Sequence, residues 1–296
     1  ISLVSAQARR EHARAELAAA GVPFRFLDAM DGDAATADRG LPIDRLRYRI
    51  VSRREPVPGE IGCYASHREA WRRCAELGEP VLVLEDDFSL SPRFKAALPT
   101  VEELTRKFGF VRLESLYRPP RRASLRPRVP VHRITERNGL TLHYVADVPT
   151  SMIGYAIAPF AAASLYAASA PLAAPVDRFV QRTWLHGVPV FGLEPTLIGP
   201  GPVAACSTIG ARPRSRNPFV MALRVLDSVQ GQVRRRRFNR LQLSRLRPGG
   251  VDAGAGRGAA GSEAGGAGIA LPSLDAAARP RMIAPAVSKR PPQRRL

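Results

Sequence analysis

Two neighbouring stretches decide the fold, GEIGCYASH at residues 59–67 and VLVLEDD at residues 81–87. The second begins with four apolar, strand-forming residues after a Gly-Glu-Pro turn signal, which predicts a strand covered on both faces. Three acids follow directly, so their carboxylates emerge at the carboxyl end of this strand. Because ligands of open α/β sheets bind outside that edge, the stretch predicts a ligand site there.

The acidic triplet, Glu85, Asp86 and Asp87, suits a site for a metal ion and a phosphate. Hard cations such as Mg²⁺ and Mn²⁺ take oxygen ligands from one or two carboxylates and from substrate phosphates. A solvated acidic turn is the alternative interpretation of the same three residues.

Residues 60–77 carry apolar side chains at helical spacing and predict a helix that precedes the strand. Glu60, Cys63 and His67 share a second face of this helix. A zinc site of Cys63, His67 and Cys74 is set aside, because ligands strung along one helix over eleven residues cannot converge on a tetrahedron. Taken alone, His67 is more often a hydrogen-bonded structural residue than a catalytic one.

Three matches together resemble glycosyltransferase family 25, of the bacterial lipooligosaccharide galactosyltransferase type. The string GEIGCYASHREAW, a short spacer and PVLVLEDDFSLSPRF resemble the family signature. Residues 1–32 resemble its first strand, its paired arginines and its loop ending in Asp-Gly. GYAIA at 154–158, followed by PVD at 175–177, is the third match.

The resemblance implies an α/β fold of the GT-A-like type, with a mixed, nucleotide-sugar-binding sheet flanked by helices. It also implies an inverting hexosyltransferase that moves galactose from UDP-galactose onto a lipooligosaccharide or another cell-surface glycan, with Mn²⁺ or Mg²⁺ as cofactor. We expect Asp87 to be a direct metal ligand and Glu85 the other end of a D-x-D-like pair. Asp86 is expected to face the donor ribose or sugar.

Inversion implies one displacement with a carboxylate as general base. Asp177 is the first candidate for that base, with Glu60 or His67 behind it. The alternative role for Asp177 is a helix N-cap, which is worth about 1 kcal/mol.

The first predicted strand-helix-strand unit matches the part of the family that builds the nucleotide pocket. Arg9 and Arg10 match its arginine pair and are expected to bind a pyrophosphate, or else they form a solvated helix face. Asp28 and Asp31 are expected to hold ribose or uracil groups, or else they only form the turn that Asp-Gly favours.

Patterns along the rest of the chain predict its remaining elements. Strands are expected at 1–4, 22–27, 110–113, 140–146, 151–158 and 188–193, helices at 6–20, 91–108, 159–170 and 178–186, and loops at 34–58 and 117–130.

The formal net charge of +19 indicates an anionic partner, unless the arginine excess reflects coding bias alone. Three cysteines without a CxxC pair fit a reducing cytoplasm. No apolar stretch approaches the roughly 20 residues that span a bilayer, and no signal peptide is visible. We therefore expect a cytoplasmic location, peripheral to the inner face of the cytoplasmic membrane.

Composition divides the chain into a catalytic domain at 1–210, a basic amphipathic segment at 211–247 and a low-complexity, disordered tail at 248–296. The basic segment suits an anionic membrane surface. No nucleic-acid partner is expected, because aromatic residues are too few for stacking platforms.

Two other functions are weighed against sugar transfer. A catalytically inactive glycosyltransferase-like module that binds membranes or polyanions fits the arginine excess, and it fits Ser2 and Ser5, where the family often has Asn and Arg. The presence of all three acids, Glu85, Asp86 and Asp87, argues against an inactive protein. A nucleotidyltransferase would require a glycine-rich phosphate loop after the first strand, and residues 4–10 contain no glycine.

Overall fold

A six-stranded mixed sheet carries the candidate site at one edge. Its strand order is β1-β6-β3-β7-β5-β4, and β2 pairs separately with β8. Among the described strands, only β3 and β7 are parallel neighbours in the large sheet, so β1, β3 and β7 all end at the same edge. The strands are β1 (Val81–Leu84), β2 (Phe88–Leu90), β3 (Phe110–Arg112), β4 (Val131–Arg137), β5 (Leu140–Val145), β6 (Gly154–Ile157), β7 (Phe191–Glu194) and β8 (Ile198–Pro200).

The structure, a computed structural model, describes residues 1–32, 41–116, 131–202 and 217–246. Its helices are α1 (Gln7–Ala19), α2 (Arg45–Ser52), α3 (Pro58–Leu77), α4 (Phe94–Phe108), α5 (Pro159–Ala168), α6 (Val176–Val180), α7 (Thr183–His186) and α8 (Pro218–Leu246). The expected mixed sheet flanked by helices is confirmed. The predicted loop at 117–130 and the predicted tail at 248–296 lie outside the described residues.

The core lies between the sheet and helices α3 and α5. Trp71 of α3 and Phe110 of β3 are fully buried, and Tyr155 of β6 is 1% exposed. The Tyr155 ring stacks on Phe110 with 4.7 Å between centroids, and its hydroxyl accepts a hydrogen bond from Trp71 Nε1 at 3.0 Å. The helix predicted at 60–77 is thus fixed to the middle of the sheet.

The strands predicted at residues 1–4 and 22–27 are longer than the backbone pairing that the structure shows there. Ser2 and Asp28 form a single parallel bridge, in which the Ser2 N–H donates to Leu27 and the Ser2 carbonyl accepts from Ala29. The Arg10 guanidinium donates hydrogen bonds to the carbonyl oxygens of Leu3 and Ser2, at 3.0 and 2.9 Å. Arg10 therefore reinforces this bridge, and the described residues on either side of it do not extend it into a ladder.

The prediction of a loop at 34–58 is wrong for Arg45–Ser52, which form α2. Asp44 accepts from the Arg47 N–H at 2.9 Å and so caps this helix, while Tyr48 and Val51 are buried on its inner face. The structure also contains β4, which was not predicted. Asn138-Gly139, both at positive φ, connects β4 to β5, and this dipeptide is the hairpin signal that reveals the strand.

Helix α8 lies with one face on the rest of the described chain. Arg182 Nη1 donates to Asp227 at 3.1 Å, and Tyr144 Oη donates to Asn239 at 2.7 Å. The helix begins at Pro218 within the predicted basic segment, while the predicted boundary near 210 lies outside the described residues. None of the described helices is long and apolar enough to cross a membrane.

The loop at 28–32 lies directly on the first turns of α3. The Ser66 hydroxyl accepts from the Met30 N–H at 2.8 Å and donates to the Gly62 carbonyl at 2.7 Å. A Cβ on Gly62 would lie 2.3 Å from the Met30 carbonyl oxygen. This glycine therefore permits the close approach that brings the loop to the end of β1.

We expect Gly62→Ala to lower the free energy of unfolding. Overpacking costs about 1–3 kcal/mol, which outweighs the up to about 1 kcal/mol that alanine gains over glycine inside a helix. Urea unfolding measures the change. Gly199→Ala is the matched control, because no heavy atom lies within 4 Å of a Cβ at Gly199. A Gly62→Ala protein as stable as the parent would contradict the proposed close packing.

Candidate active site

A cavity of about 400 Å³ opens at the carboxyl end of β1, between the amino-terminal segment, the loop at 28–32 and the start of α3. Its lining includes these predicted site residues: Arg9, Asp31, His67, Glu85, Asp86 and Asp87. The remaining predicted site residues, which are Arg10, Asp28, Glu60 and Asp177, do not line it. Residues that are 85 positions apart in the sequence thus share one concave surface.

Asp86 fastens the amino-terminal segment to the end of β1. Its carboxylate accepts from the Ser2 hydroxyl at 2.6 Å and from Arg9 Nη1 at 2.8 Å, and the residue is 8% exposed. Ser2, a departure from the family pattern, is therefore a direct partner of the acidic triplet. Arg9 also lies 4.0 Å from the carboxylate of Asp87, so one guanidinium spans both acids.

Asp87 is the least satisfied acid of the triplet. Its Oδ1 atom is buried and has no hydrogen-bond partner among the described residues. Burial raises the pKa of the Asp87 carboxyl, and the negative charge of Glu85 raises it further. A partly desolvated carboxylate beside a second one, in a cavity, has the donor chemistry that a hard divalent cation takes. Glu85 and Asp87 therefore fit the expected Mn²⁺ or Mg²⁺.

A chain of hydrogen bonds runs from the core to Glu85. Trp71 can only donate to the Tyr155 oxygen, which leaves the Tyr155 hydroxyl hydrogen for His67 Nδ1 at 2.9 Å. His67 Nε2 lies 3.0 Å from Glu85 Oε1, and this carboxylate accepts from it. The fully buried His67 imidazole thus orients Glu85 in this structure.

Arg10 and Asp28 pair with each other outside the cavity. Arg10 also stacks over Phe26, with 4.6 Å from the guanidinium carbon to the ring centroid. The pair stabilises the bridge between Ser2 and Asp28 rather than facing the cavity.

Glu60 is buried and serves as an acceptor for α2. The Tyr48 hydroxyl donates to Glu60 Oε2 at 2.6 Å, and Arg54 pairs with Oε1. Tyr48 and Arg54 thus tie the segment around α2 to the first turn of α3.

Asp177 lies in the first turn of α6, whose N-cap residue is Pro175, so Asp177 is not the N-cap. Its Oδ1 accepts from the neighbouring Arg178 N–H at 2.7 Å. Burial is the main cause that raises the pKa of the Asp177 carboxyl, and the negative charges of Glu60 and Glu85 raise it further. Asp177 therefore belongs to the same electrostatic cluster as the triplet, although it does not line the cavity.

A buried ion pair that the sequence analysis missed lies at the end of β3. Arg112 Nη2 is 2.8 Å from Glu114 Oε1, and the two residues are 1% and 5% exposed. Arg112 donates to the Ser151 carbonyl at 2.9 Å, and Ser151 Oγ donates to Glu114 at 2.5 Å. The available signal is a lone arginine inside the apolar run at 110–113. The pair fixes the loop whose Ile153 carbonyl accepts the backbone N–H of Glu85 at 2.8 Å.

Asp87→Asn and Asp86→Asn should change stability in opposite directions when divalent cations are absent. The raised folded pKa of Asp87 means that this carboxyl adds stability below its unfolded pKa and loses that stability as pH rises through the folded pKa. Asp87→Asn therefore raises the free energy of unfolding at neutral pH, and the gain shrinks toward about pH 4. Asp86→Asn lowers it by about 1.5–3 kcal/mol, because hydrogen bonds to a charged group weaken.

Urea unfolding in EDTA, repeated from acidic to neutral pH, measures both effects. A loss of stability at neutral pH in Asp87→Asn would contradict the unfavourable burial of that charge.

Several curated proteins are similar in sequence to this chain. Lacto-N-neotetraose biosynthesis glycosyltransferase LgtB of Neisseria gonorrhoeae is 31% identical over 133 residues, which is 40% of this chain and 43% of that protein. Lacto-N-neotetraose biosynthesis glycosyltransferase LgtE of Neisseria meningitidis serogroup B is 32% identical with the same coverage. A human protein named inactive glycosyltransferase 25 family member 3 is 35% identical over 108 residues, 35% of this chain and 18% of its own length.

The chain therefore spans less than half the length of these curated relatives. The family model described as glycosyltransferase family 25 (LPS biosynthesis protein) matches residues 1–180, which include the whole lining of the cavity. Because this match covers more than half of the sequence, the chain belongs to glycosyltransferase family 25.

Proposed function

We propose that this family 25 glycosyltransferase moves galactose from UDP-galactose, with inversion, onto a lipooligosaccharide or another cell-surface glycan. The observation that supports this most is the unpartnered Asp87 oxygen beside Glu85 in a cavity of about 400 Å³. Cavities of roughly 300–1,000 Å³ suit small-molecule ligands. The names of LgtB and LgtE support a glycan acceptor, because both contain lacto-N-neotetraose biosynthesis.

Glu85 and Asp87 would hold Mn²⁺ or Mg²⁺ at the end of β1. When bound, this cation supplies positive charge that stabilises the diphosphate leaving group. His67 orients Glu85 for that role through its 3.0 Å hydrogen bond. Asp86, which accepts from Arg9, would face the donor ribose or sugar, and Asp31, which also lines the cavity, would bind the ribose or uracil.

Asp177 is the proposed general base for the acceptor hydroxyl. A catalytic base works best when its pKa lies near the working pH. Burial, helped by Glu60 and Glu85, moves the pKa of Asp177 in that direction. Glu60 is a weaker candidate, because Tyr48 and Arg54 already occupy its two oxygens.

Asp177→Asn is expected to lower kcat by about 10²–10⁴-fold, the usual contribution of a general base. Affinity for the donor should stay the same, because Asp177 does not line the donor cavity. A radiolabelled UDP-galactose assay with a lipooligosaccharide acceptor measures the rate. Glu102→Gln is the control, since Glu102 is an exposed partner of Arg106 on α4.

Unimpaired transfer by Asp177→Asn would remove this residue from the mechanism. Folded parent protein that transfers no sugar from any nucleotide donor would instead favour the inactive, membrane- or polyanion-binding alternative.

We also propose that α8 contacts the anionic inner face of the cytoplasmic membrane. Five large apolar side chains of α8 are 46–64% exposed: Phe219, Val225, Leu226, Val229 and Val233. Exposed arginines follow on the next turns, at 234, 236, 237 and 240. Apolar insertion with adjacent cationic charge is the pattern of helices that lie in the membrane interface.

Val229→Asp combined with Val233→Asp should abolish cosedimentation with phosphatidylglycerol vesicles. Replacing Arg236, Arg237 and Arg240 by alanine should weaken binding by roughly 100-fold, because each arginine near the surface contributes about 1 kcal/mol. Leu77→Asp is the matched control, since Leu77 is 66% exposed on α3. Equal binding to neutral phosphatidylcholine vesicles would contradict the electrostatic part of the proposal.

A further inference from the structure

A second set of possible metal ligands lies in the same cavity, with chemistry unlike that of Glu85 and Asp87. Cys63 and His67 are four positions apart on α3, so their side chains lie on one face of the helix. Glu85 approaches this face from the end of β1. Its Oε1 atom lies 4.0 Å from Cys63 Sγ and 3.0 Å from His67 Nε2.

The three ligand atoms lie within 4.8 Å of one another, close enough to surround one ion. The zinc site that was set aside from the sequence included Cys74, which lies two turns farther along the same helix. The structure directs Cys74 into the core, where its thiol contacts the Ile157 carbonyl at 3.4 Å. Glu85 supplies a third ligand from the end of β1, so the ligands of this set are not confined to one helix and can converge on one ion.

The donor types favour a thiophilic cation over Mg²⁺. Sulfur and imidazole ligands select Zn²⁺ and its relatives, whereas Mg²⁺ requires oxygen ligands. Three protein ligands with an open fourth position are typical of reactive zinc sites. The Tyr155 hydroxyl at His67 Nδ1 is the kind of second hydrogen bond that fixes a histidine ligand.

We propose that Cys63, His67 and Glu85 form a binding site for a thiophilic divalent cation such as Zn²⁺, with its fourth position open to the cavity. All three residues line that cavity, so the open position can take a water molecule or an anionic oxygen. Binding releases the Cys63 thiol proton to solvent. The His67 proton moves from Nε2 to Nδ1, so that the Nδ1–H donates to the Tyr155 oxygen and the Tyr155 hydroxyl hydrogen rotates away from His67.

Glu85 belongs both to this site and to the proposed Mn²⁺ or Mg²⁺ site. The two cations therefore compete for Glu85, a consequence that rests on the proposed function. Asp87 distinguishes the sites, because it has no place in the sulfur-containing set.

Cobalt absorption tests the site directly on the full, reduced chain, without any measurement of transfer. Co²⁺ should produce a near-ultraviolet thiolate-to-cobalt band that saturates at one equivalent and disappears when Zn²⁺ is added. Cys63→Ser should remove the band, and His67→Gln should weaken binding at least tenfold. Cys74→Ser and Asp87→Asn are matched controls that should retain the band.

A protection measurement does not depend on the folding of any variant. In the parent protein, Zn²⁺ should slow alkylation of Cys63 at least tenfold by mass spectrometry, while Mg²⁺ should not. Absence of the cobalt band, its survival in Cys63→Ser, or unchanged Cys63 alkylation with Zn²⁺ would each overturn the proposal. Loss of the band in Asp87→Asn would contradict a ligand set made of Cys63, His67 and Glu85 alone.

Discussion

The pairing of Asp86 with Ser2 and Arg9 is the contact on which the site depends. It joins the amino-terminal segment to the end of β1, across more than 80 residues of sequence, and so builds one wall of the cavity. Asp86 and Asp87 form a turn directly after β1, and all three acids line the cavity. Within the triplet, Asp86 accepts from Ser2 and Arg9, whereas one Asp87 oxygen has no hydrogen-bond partner among the described residues.

Helix α3 is the second constraint, because it brings the opposite wall into place. Gly62 and Ser66 hold the loop at 28–32, while His67 reaches Glu85 from the core. The resulting cluster has a cost, since burial and mutual repulsion raise the pKa of both Asp87 and Asp177. Residues kept in such unfavourable states are typical of functional sites.

The sequence predicted the parts of the site that depend on local pattern. The helix at 60–77, the strand at 81–84 and the acidic triplet are where periodicity and turn signals place them. Contacts between distant segments could not be predicted this way. Neither the bond from Ser2 to Asp86 nor the buried pair of Arg112 and Glu114 has a periodic signature, because each depends on tertiary packing. The amino-terminal strands were predicted too long for the same reason, because their pairing is a single bridge between residues that are distant in sequence.

Titration calorimetry of UDP-galactose, with Mn²⁺ and then with EDTA, tests the central claim that the cavity is a metal-assisted donor site. The parent protein should bind UDP-galactose with Mn²⁺ and lose at least tenfold in affinity in EDTA. Asp87→Asn should show the weak binding in both conditions. Equal affinity with and without Mn²⁺, or tight binding by Asp87→Asn, would contradict the assignment of Glu85 and Asp87 to a cation that holds the donor.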